Sequence, residues 1–266
     1  MASSDTAFAG SIPEYYDRCL GPFIFEPYAA DLAARAAELR PGRILETAAG
    51  TGIVTAALAR ALPEAEIVAT DLNPEMLAVA AGKLPSGRAT FAPADAQSLP
   101  FGDGGFDLVV CQFGAMFFPD RIAAYREARR VLRPGGTFLF SVWDRLEANP
   151  ASQTIAEAVA ALFPDDPPSF LGRVPFGYHD KAAIEADLRA AGFTSVEAET
   201  VAKRSRGDPR EVAPGLCQGS PLRAEIEARA PDRLGEATEA ALAALVRRHG
   251  DPVDAPMSAH VFIVRA

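Results

Sequence analysis

Along the first half of the chain, apolar positions switch repeatedly between a helical period and short strand-like runs. From Glu26 to Leu39, leucine and alanine recur at helical spacing, and the segment stops at Arg40-Pro41-Gly42. Arg43-Ile44-Leu45-Glu46 then reads as a strand, Ile53 to Leu62 as a helix, and Glu66 to Asp71 as a second strand. The turn Thr47-Ala48-Ala49-Gly50-Thr51-Gly52 joins them into a βαβ unit. A helix over Pro74 to Lys83 follows, then a short strand near Ala89 to Ala92. The apolar run Phe106 to Cys111 predicts a strand buried on both faces. A helix over Arg121 to Leu132 ends in Arg133-Pro134-Gly135-Gly136, and Thr137 to Val142 supplies a fifth strand. Strands alternating with helices at this spacing predict an α/β fold with a parallel sheet covered on both sides.

Beyond Trp143 the regularity loosens. Pro164, Pro167 and Pro168 interrupt a helix-like Ser152 to Phe163, and a second stretch rich in proline and glycine runs from Asp208 to Pro221. Between them Phe193 to Ala202 reads as a strand, and both interruptions read as insertions over a binding face, or as surface loops with no task. Glu236 to His249, closed by Gly250, predicts a helix, and Ser258 to Arg265 a last strand. No repeat of 20–50 residues is present.

Composition narrows the function classes. The 266 residues carry a formal net charge of −9, which argues against nucleic acid as a partner. Hydrophobic residues at 49% are enough to build a buried core, and no run approaches the ~18 apolar residues of a membrane span. The start, Met1 to Gly10, contains Asp5 and does not read as a signal peptide. Cys19, Cys111 and Cys217 show no paired spacing, so neither a disulfide framework nor a metal site is expected, and a reducing cytoplasm is the default location.

The candidate chemistry lies at three turns that follow successive strands. Gly50 and Gly52 remove side chains where a strand turns into a helix, which lets bare backbone approach a ligand, although a tight structural turn has the same composition. The dinucleotide fingerprint would place a third glycine at position 55, where Thr55 stands, and this weakens a nicotinamide oxidoreductase reading. Asp71, which closes the second strand, has the right chemistry to accept from both hydroxyls of a ribose, with Leu72 and Met76 as apolar walls for an adenine. A helix cap is the other reading of Asp71. Asp95, in the turn Pro93 to Phe101, suits an adenine amino group, or is simply an exposed turn residue.

As an ordered set, these elements resemble the class I S-adenosylmethionine-dependent methyltransferase family, in particular its small-molecule branch similar to the quinone-biosynthesis C-methyltransferases. The residues that carry the resemblance are Glu46 to Gly52, Asp71-Leu72-Asn73-Pro74-Glu75-Met76-Leu77, Asp95-Ala96 with Leu99-Pro100-Phe101, Phe106 to Val110 and Leu132 to Gly136. The resemblance implies a Rossmann-like, doubly wound, mostly parallel seven-stranded sheet with helices on both faces and a small helical lid. It divides a single domain, residues 1–266, into a lid segment 1–42, a cofactor-binding half 43–142, and a half 143–266 with insertions at about 146–178 and 208–229 over the acceptor site.

Carried over by position, the resemblance implies that Glu46, Ala48, Gly50 and Gly52 line the methionyl part and ribose of S-adenosylmethionine. It further implies that Asp71 holds the ribose, Asp95 with Ala96 meets the adenine, and the backbone of Cys111 and Gln112 faces the methionyl amine. The family usually has glycine where Ala48 stands, so the turn here is less free. Phe113 and Phe117 are placed to line an apolar acceptor pocket, or to pack in the core, and Tyr15 or Tyr16 to cover the cofactor. Methyl transfer needs no base, but His179 is the best-placed histidine if the acceptor is a weak acid. The expected partner is a small-molecule acceptor, natural-product or quinone-like. The expected product is S-adenosylhomocysteine, and a silent cofactor-binding protein of the same fold is the competing reading.

Overall fold

A computed structural model describes Asp5 and residues 12–266. The expectation for Met1 to Gly10 lies, apart from Asp5, outside the described residues, as does Ser11. Seven strands form one sheet: β1 (Arg43–Glu46), β2 (Glu66–Asp71), β3 (Thr90–Pro93), β4 (Phe106–Gln112), β5 (Leu132–Trp143), β6 (Ser195–Gly207) and β7 (Val253–Arg265). Their order is β3-β2-β1-β4-β5-β7-β6, and the pairs from β3 through β5 are parallel. The helices are α1 (Ile12–Tyr15), α2 (Glu26–Leu39), α3 (Ile53–Ala61), α4 (Pro74–Gly82), α5 (Arg121–Val131), α6 (Pro150–Ala160), α7 (Phe170–Arg173), α8 (Lys181–Ala190), α9 (Pro209–Gln218), α10 (Leu222–Arg229) and α11 (Leu234–His249). A wide-bore π-helical segment, Tyr16–Phe25, leads into α2.

The described chain divides into two compact units. The second unit comprises Pro27–Val142, His179–Val201 and His260–Ala266. On one face of its sheet, aromatic rings stack across strands. Phe138 and Phe140 lie 4.6 Å apart, Phe140 and Phe262 4.8 Å, and Tyr125 of α5 sits 5.5 Å from Phe140. Such pairs add to plain burial, and they fix this part of the sheet against α5. On β1 and β2, Ile44, Leu45, Ile67, Val68 and Ala69 are all buried, as expected for strands of a parallel sheet covered on both faces. Short polar caps start the helices: Asn73 accepts from Glu75 N ahead of Pro74, Asp120 from Ala123 N, and Asp180 from Ala182 N.

The first unit comprises the residues through Glu26, Trp143–Tyr178 and Ala202–Ala259. Here α11 packs on α6 and α9, and α9 packs on the segment Tyr16–Phe25. Gly215 of α9 permits that approach, since a Cβ there would lie 2.8 Å from both Cys19 and Leu20.

The readings of the sequence differ from the structure at β5, at 208–221, at β6 and at β7, which begins at Val253 and not at Ser258. Strand β5 begins at Leu132 and carries the Arg133–Gly136 turn as a bulge, the register passing from Phe106↔Leu132 to Leu108↔Thr137. Gly135, at φ +76°, makes that excursion possible. The stretch Asp208 to Pro221 is largely the helix α9: Asp208 caps it, Pro209 occupies its first turn where no N–H is needed, and Pro214 is accommodated inside it. Strand β6 runs on to Gly207, beyond the expected Ala202.

Candidate functional site

The sheet order changes direction between β1 and β4: β2 and β3 follow on one side of β1, while β4 and β5 extend on the other. In open α/β sheets, that switch point, at the carboxyl ends of the strands, is where ligands bind. The turn after β1 crosses it and is tied down on both sides. Thr47 N donates to Val110 O of β4 at 2.9 Å, Ala49 N donates to Thr70 O of β2 at 2.9 Å, and Gly52 N donates to Ala49 O at 3.0 Å.

Three residues of the turn adopt left-handed backbone: Ala48 at φ +52°, Gly50 at +55° and Gly52 at +77°. The two glycines answer different demands. A Cβ on Gly52 would lie 2.7 Å from Ala80 Cβ, so this glycine is required by the packing of α3 against α4. A Cβ on Gly50 would meet nothing within 4 Å; its bare face opens onto free space. Ala48 bears the strain that glycine would avoid, ~1–2 kcal/mol. Its methyl also excludes a side chain at Gly114, where a Cβ would stand 2.5 Å away and 2.8 Å from Cys111 Sγ.

Asp71 braces this turn from β2. Its Oδ2 accepts from Gly50 N at 2.8 Å and its Oδ1 from Asn73 N at 2.8 Å. Burial raises its pKa, and the amide hydrogen bonds work against that rise. A carboxylate has about four lone-pair sites, so with the amides of Gly50, Leu72 and Asn73 around it Asp71 still has capacity for a hydroxyl donor. Leu72, next in the chain, is 64% exposed, an apolar side chain held out beside the carboxylate, whereas Met76 is buried in α4.

Ala94 N donates to Asp71 O at 3.0 Å and so brings the third turn alongside the second. There Asp95 is exposed and accepts from Gln97 N at 2.8 Å and Gln97 Nε2 at 3.1 Å; Ala96 is half-buried. Glu46, Ala48, Gly50, Gly52, Asp71, Leu72, Asp95 and Ala96 therefore lie on one continuous stretch of the sheet's carboxyl edge.

Glu46 is the most unusual of them. It is only 2% exposed, and among the described residues the donors to its carboxylate come from Thr55, whose Oγ1 donates at 2.6 Å and whose backbone N–H also bonds to it. Burial pushes its pKa to about 8, the Asp71 charge acts in the same direction, and the Thr55 bonds oppose them. Thr55, itself fully buried, is a site residue that pattern reading missed. The signal was present, since Thr55 occupies the third position of the glycine fingerprint.

Cys111 and Gln112 lie at the end of β4. Burial pushes the Cys111 thiol up to about 12, which keeps it neutral, with Thr47 and the amides of Gly114 and Ala115 bonded to it. Phe113, at φ +52°, is 5% exposed and sets its ring edge-on to Tyr28 of α2 at 5.4 Å, with its N–H bonded to Ser141 O. Phe117 is half-buried in the short helix that follows. His179 is half-buried, just before the Asp180 cap of α8, and among the described residues it is not part of the network of Glu46, Thr55, Gly50 and Asp71. Tyr15 and Tyr16 belong to the first unit, where Arg18 stacks over the Tyr15 ring and Tyr16 stacks on Phe25 at 4.7 Å.

The residues present fit S-adenosylmethionine. Backbone unshielded at Gly50, a braced carboxylate at Asp71 and an exposed leucine beside it provide for an elongated ligand bearing a ribose and an apolar ring. Among the described residues, no cluster of three potential metal ligands is present, and no helix is long and apolar enough to cross a membrane.

Comparison with known proteins agrees with this geometry. Residues 45–140 match the family described as methyltransferase domain. The demethylmenaquinone methyltransferase of Thermus thermophilus is 44% identical over 110 residues, 41% of this chain and 49% of that protein. A ubiquinone/menaquinone biosynthesis C-methyltransferase of Pseudomonas aeruginosa is 36% identical over 168 residues, 58% of this chain and 66% of that protein. The chain thus spans about half the length of the first of these relatives and somewhat more of the second. Among solved structures, the YcgJ protein from Bacillus subtilis shares the fold with a TM-score of 0.58 at 22% identity, covering 90% of this chain and 98% of that one. The [4+2]-cyclase SpnF aligns with a TM-score of 0.57 at 25% identity, covering 90% of this chain and 80% of that one.

Proposed function

We propose, from the match of residues 45–140 to the methyltransferase domain family, that the chain binds S-adenosylmethionine and transfers its methyl group to a small, partly apolar acceptor of the quinone or phenol class. The observation that carries the reading is the Gly50 turn, its bare face open and its N–H held by Asp71. The names of the relatives support the acceptor class, one being a demethylmenaquinone methyltransferase and the other a ubiquinone/menaquinone biosynthesis C-methyltransferase.

When bound, the cofactor would supply a methyl carbon on a positively charged sulfur: the acceptor's electron pair forms the new bond in line, the sulfur keeps the electrons of the broken bond, and the acceptor's proton passes to solvent. This chain's residues provide binding and orientation. Asp71 accepts from the ribose hydroxyls, the Gly50 backbone allows close approach, and Leu72 covers one side of the adenine. Asp95 and Ala96 meet the adenine edge, and the backbone at Cys111 and Gln112 holds the methionyl end. Holding the reacting atoms ~3–3.5 Å apart supplies much of the acceleration, so the reaction runs without an assigned base and His179 is given no step.

A second reading, a protein that keeps the cofactor site without methylating, draws on the likeness to a cyclase of the same fold. Calorimetric titration with S-adenosylhomocysteine, with NAD as control, tests the first part of the proposal. Binding of the former alone supports it, and absence of binding to the folded protein refutes it. Turnover of a labelled methyl donor with reduced naphthoquinones and phenols then separates the two readings.

A further inference from the structure

The pair formed by Glu46 and Thr55 suggests more than a structural bond. Glu46 leaves β1 at the switch point, and its side chain is enclosed. Thr55 from α3 donates to it, and the Asp71 carboxylate of β2 and the Cys111 thiol of β4 are near enough to act on it electrostatically. Asp71 is anionic when ionised, the Cys111 thiol is held neutral by burial, and among the described residues no cation offsets the carboxyl. Burial, with a second carboxylate nearby, outweighs the hydroxyl and backbone bonds from Thr55, and the carboxyl holds its proton in the free protein.

The proposed ligand changes that balance. With its ribose at Asp71 on β2 and its chain passing under Gly50, the opposite end of the ligand lies over β1 and β4, and that end carries an ammonium. A cation held there favours the ionised carboxyl through a low-dielectric interior, with or without direct contact. Thr55 Oγ1, at 2.6 Å, is the group ready to hold the resulting carboxylate.

We infer that Thr55 is a positioning residue for Glu46, and that uptake of the cofactor's ammonium end expels one proton from the Glu46 carboxyl to solvent. This rests on the cofactor reading above. It assigns the residue in the third fingerprint position a part in proton-linked binding, and it makes cofactor affinity depend on pH near neutrality.

The test is calorimetric titration with S-adenosylhomocysteine in phosphate and in imidazole buffers of different ionisation enthalpy, repeated from about pH 6 to pH 9. For the wild type, close to one proton is released at about pH 7, and affinity rises about tenfold per pH unit before levelling above about pH 8. Glu46→Gln binds with no proton release and a flat pH profile. Thr55→Ser matches the wild type. Thr55→Val, folded by circular dichroism, loses about tenfold or more in affinity near pH 7, and its levelling point moves upward, because the ionised carboxyl has lost its hydroxyl donor.

Binding to the wild type with no proton release overturns the inference and leaves the cofactor reading intact, as does an unaltered pH profile in Thr55→Val or in folded Glu46→Gln. No binding of S-adenosylhomocysteine to the folded wild type overturns the cofactor reading, and the inference with it.

Discussion

Gly50 and Gly52 sit two residues apart in one turn, both left-handed, yet their replacement by alanine should fail in different assays. At Gly52 the new side chain incurs ~1–2 kcal/mol of backbone strain and meets Ala80 at 2.7 Å from its Cβ and 3.0 Å from its Cα. Overpacking at such a contact costs ~1–3 kcal/mol. The smaller unfolded-state entropy of alanine returns about 0.4–1 kcal/mol. Gly52→Ala should therefore destabilise the fold by ~1–4.5 kcal/mol, read as a lower urea midpoint. Adding Ala80→Gly removes the Cβ contact and leaves the strain, so the double-mutant cycle should show a favourable coupling of ~1–2 kcal/mol.

At Gly50 there is no contact to relieve, so Gly50→Ala should cost only the strain, ~1 kcal/mol after the entropy offset. It should nonetheless weaken S-adenosylhomocysteine binding at least tenfold by calorimetry, because the methyl stands where the ligand must pass. A folded Gly50→Ala that binds like the wild type would show that the open space at this turn is not the ligand's. A Gly52→Ala variant within 1 kcal/mol of the wild type would refute the packing argument.

Other outcomes follow from the same geometry. Asp71→Ala should weaken S-adenosylhomocysteine binding by ~1.5–3 kcal/mol, the range for hydrogen bonds to a charged group, and unchanged affinity in a folded variant removes Asp71 from the site. Glu46 has a folded pKa of about 8, above its ordinary 4.5. Its contribution to stability is therefore complete below about pH 4.5 and is lost as pH rises toward 8, with a slope of at most ~1.4 kcal/mol per pH unit. Urea midpoints of Glu46→Gln, measured over that window, should fall less steeply with pH than those of the wild type; parallel profiles contradict the assignment. Arg130 donates to Leu99 O, Phe101 O and Glu127, tying the loop before β4 to α5. Arg130→Ala should speed limited proteolysis of residues 99–105, and an unchanged cleavage rate would show that the loop is held by other contacts.

The cofactor edge was legible because its signals are backbone signals. Apolar runs bounded by turn residues place Arg43–Glu46 and Glu66–Asp71 with the bounds the structure has. Glycines and carboxylates at the ends of those strands mark the turns that meet at the switch point. Helix α9 was not legible, since the prolines that argue against a helix occupy its first turn and an accommodated interior position. The segment Tyr16–Phe25 has apolar residues around much of its circumference and a proline within it, so it presents no clear period to read. The role of Thr55 escaped because it depends on the burial of Glu46, a property of packing and not of spacing. Phe113 shows the limit on the acceptor side: an aromatic residue destined for the core and one destined for a pocket look alike in sequence, and Phe113 lies edge-on to Tyr28.

The bond from Asp71 to the Gly50 amide, together with the ties of Thr47 and Ala49 to the strands on either side, is made within the protein itself. The glycine turn is thus preorganised: its ordering entropy is lost during folding and not during binding. Cofactor association should accordingly resemble entry into a rigid groove. The same on-rate and heat-capacity change should be found for Ala48→Gly as for the wild type, and the amides of Thr47, Ala49, Gly50 and Gly52 should exchange slowly with solvent before any ligand is added.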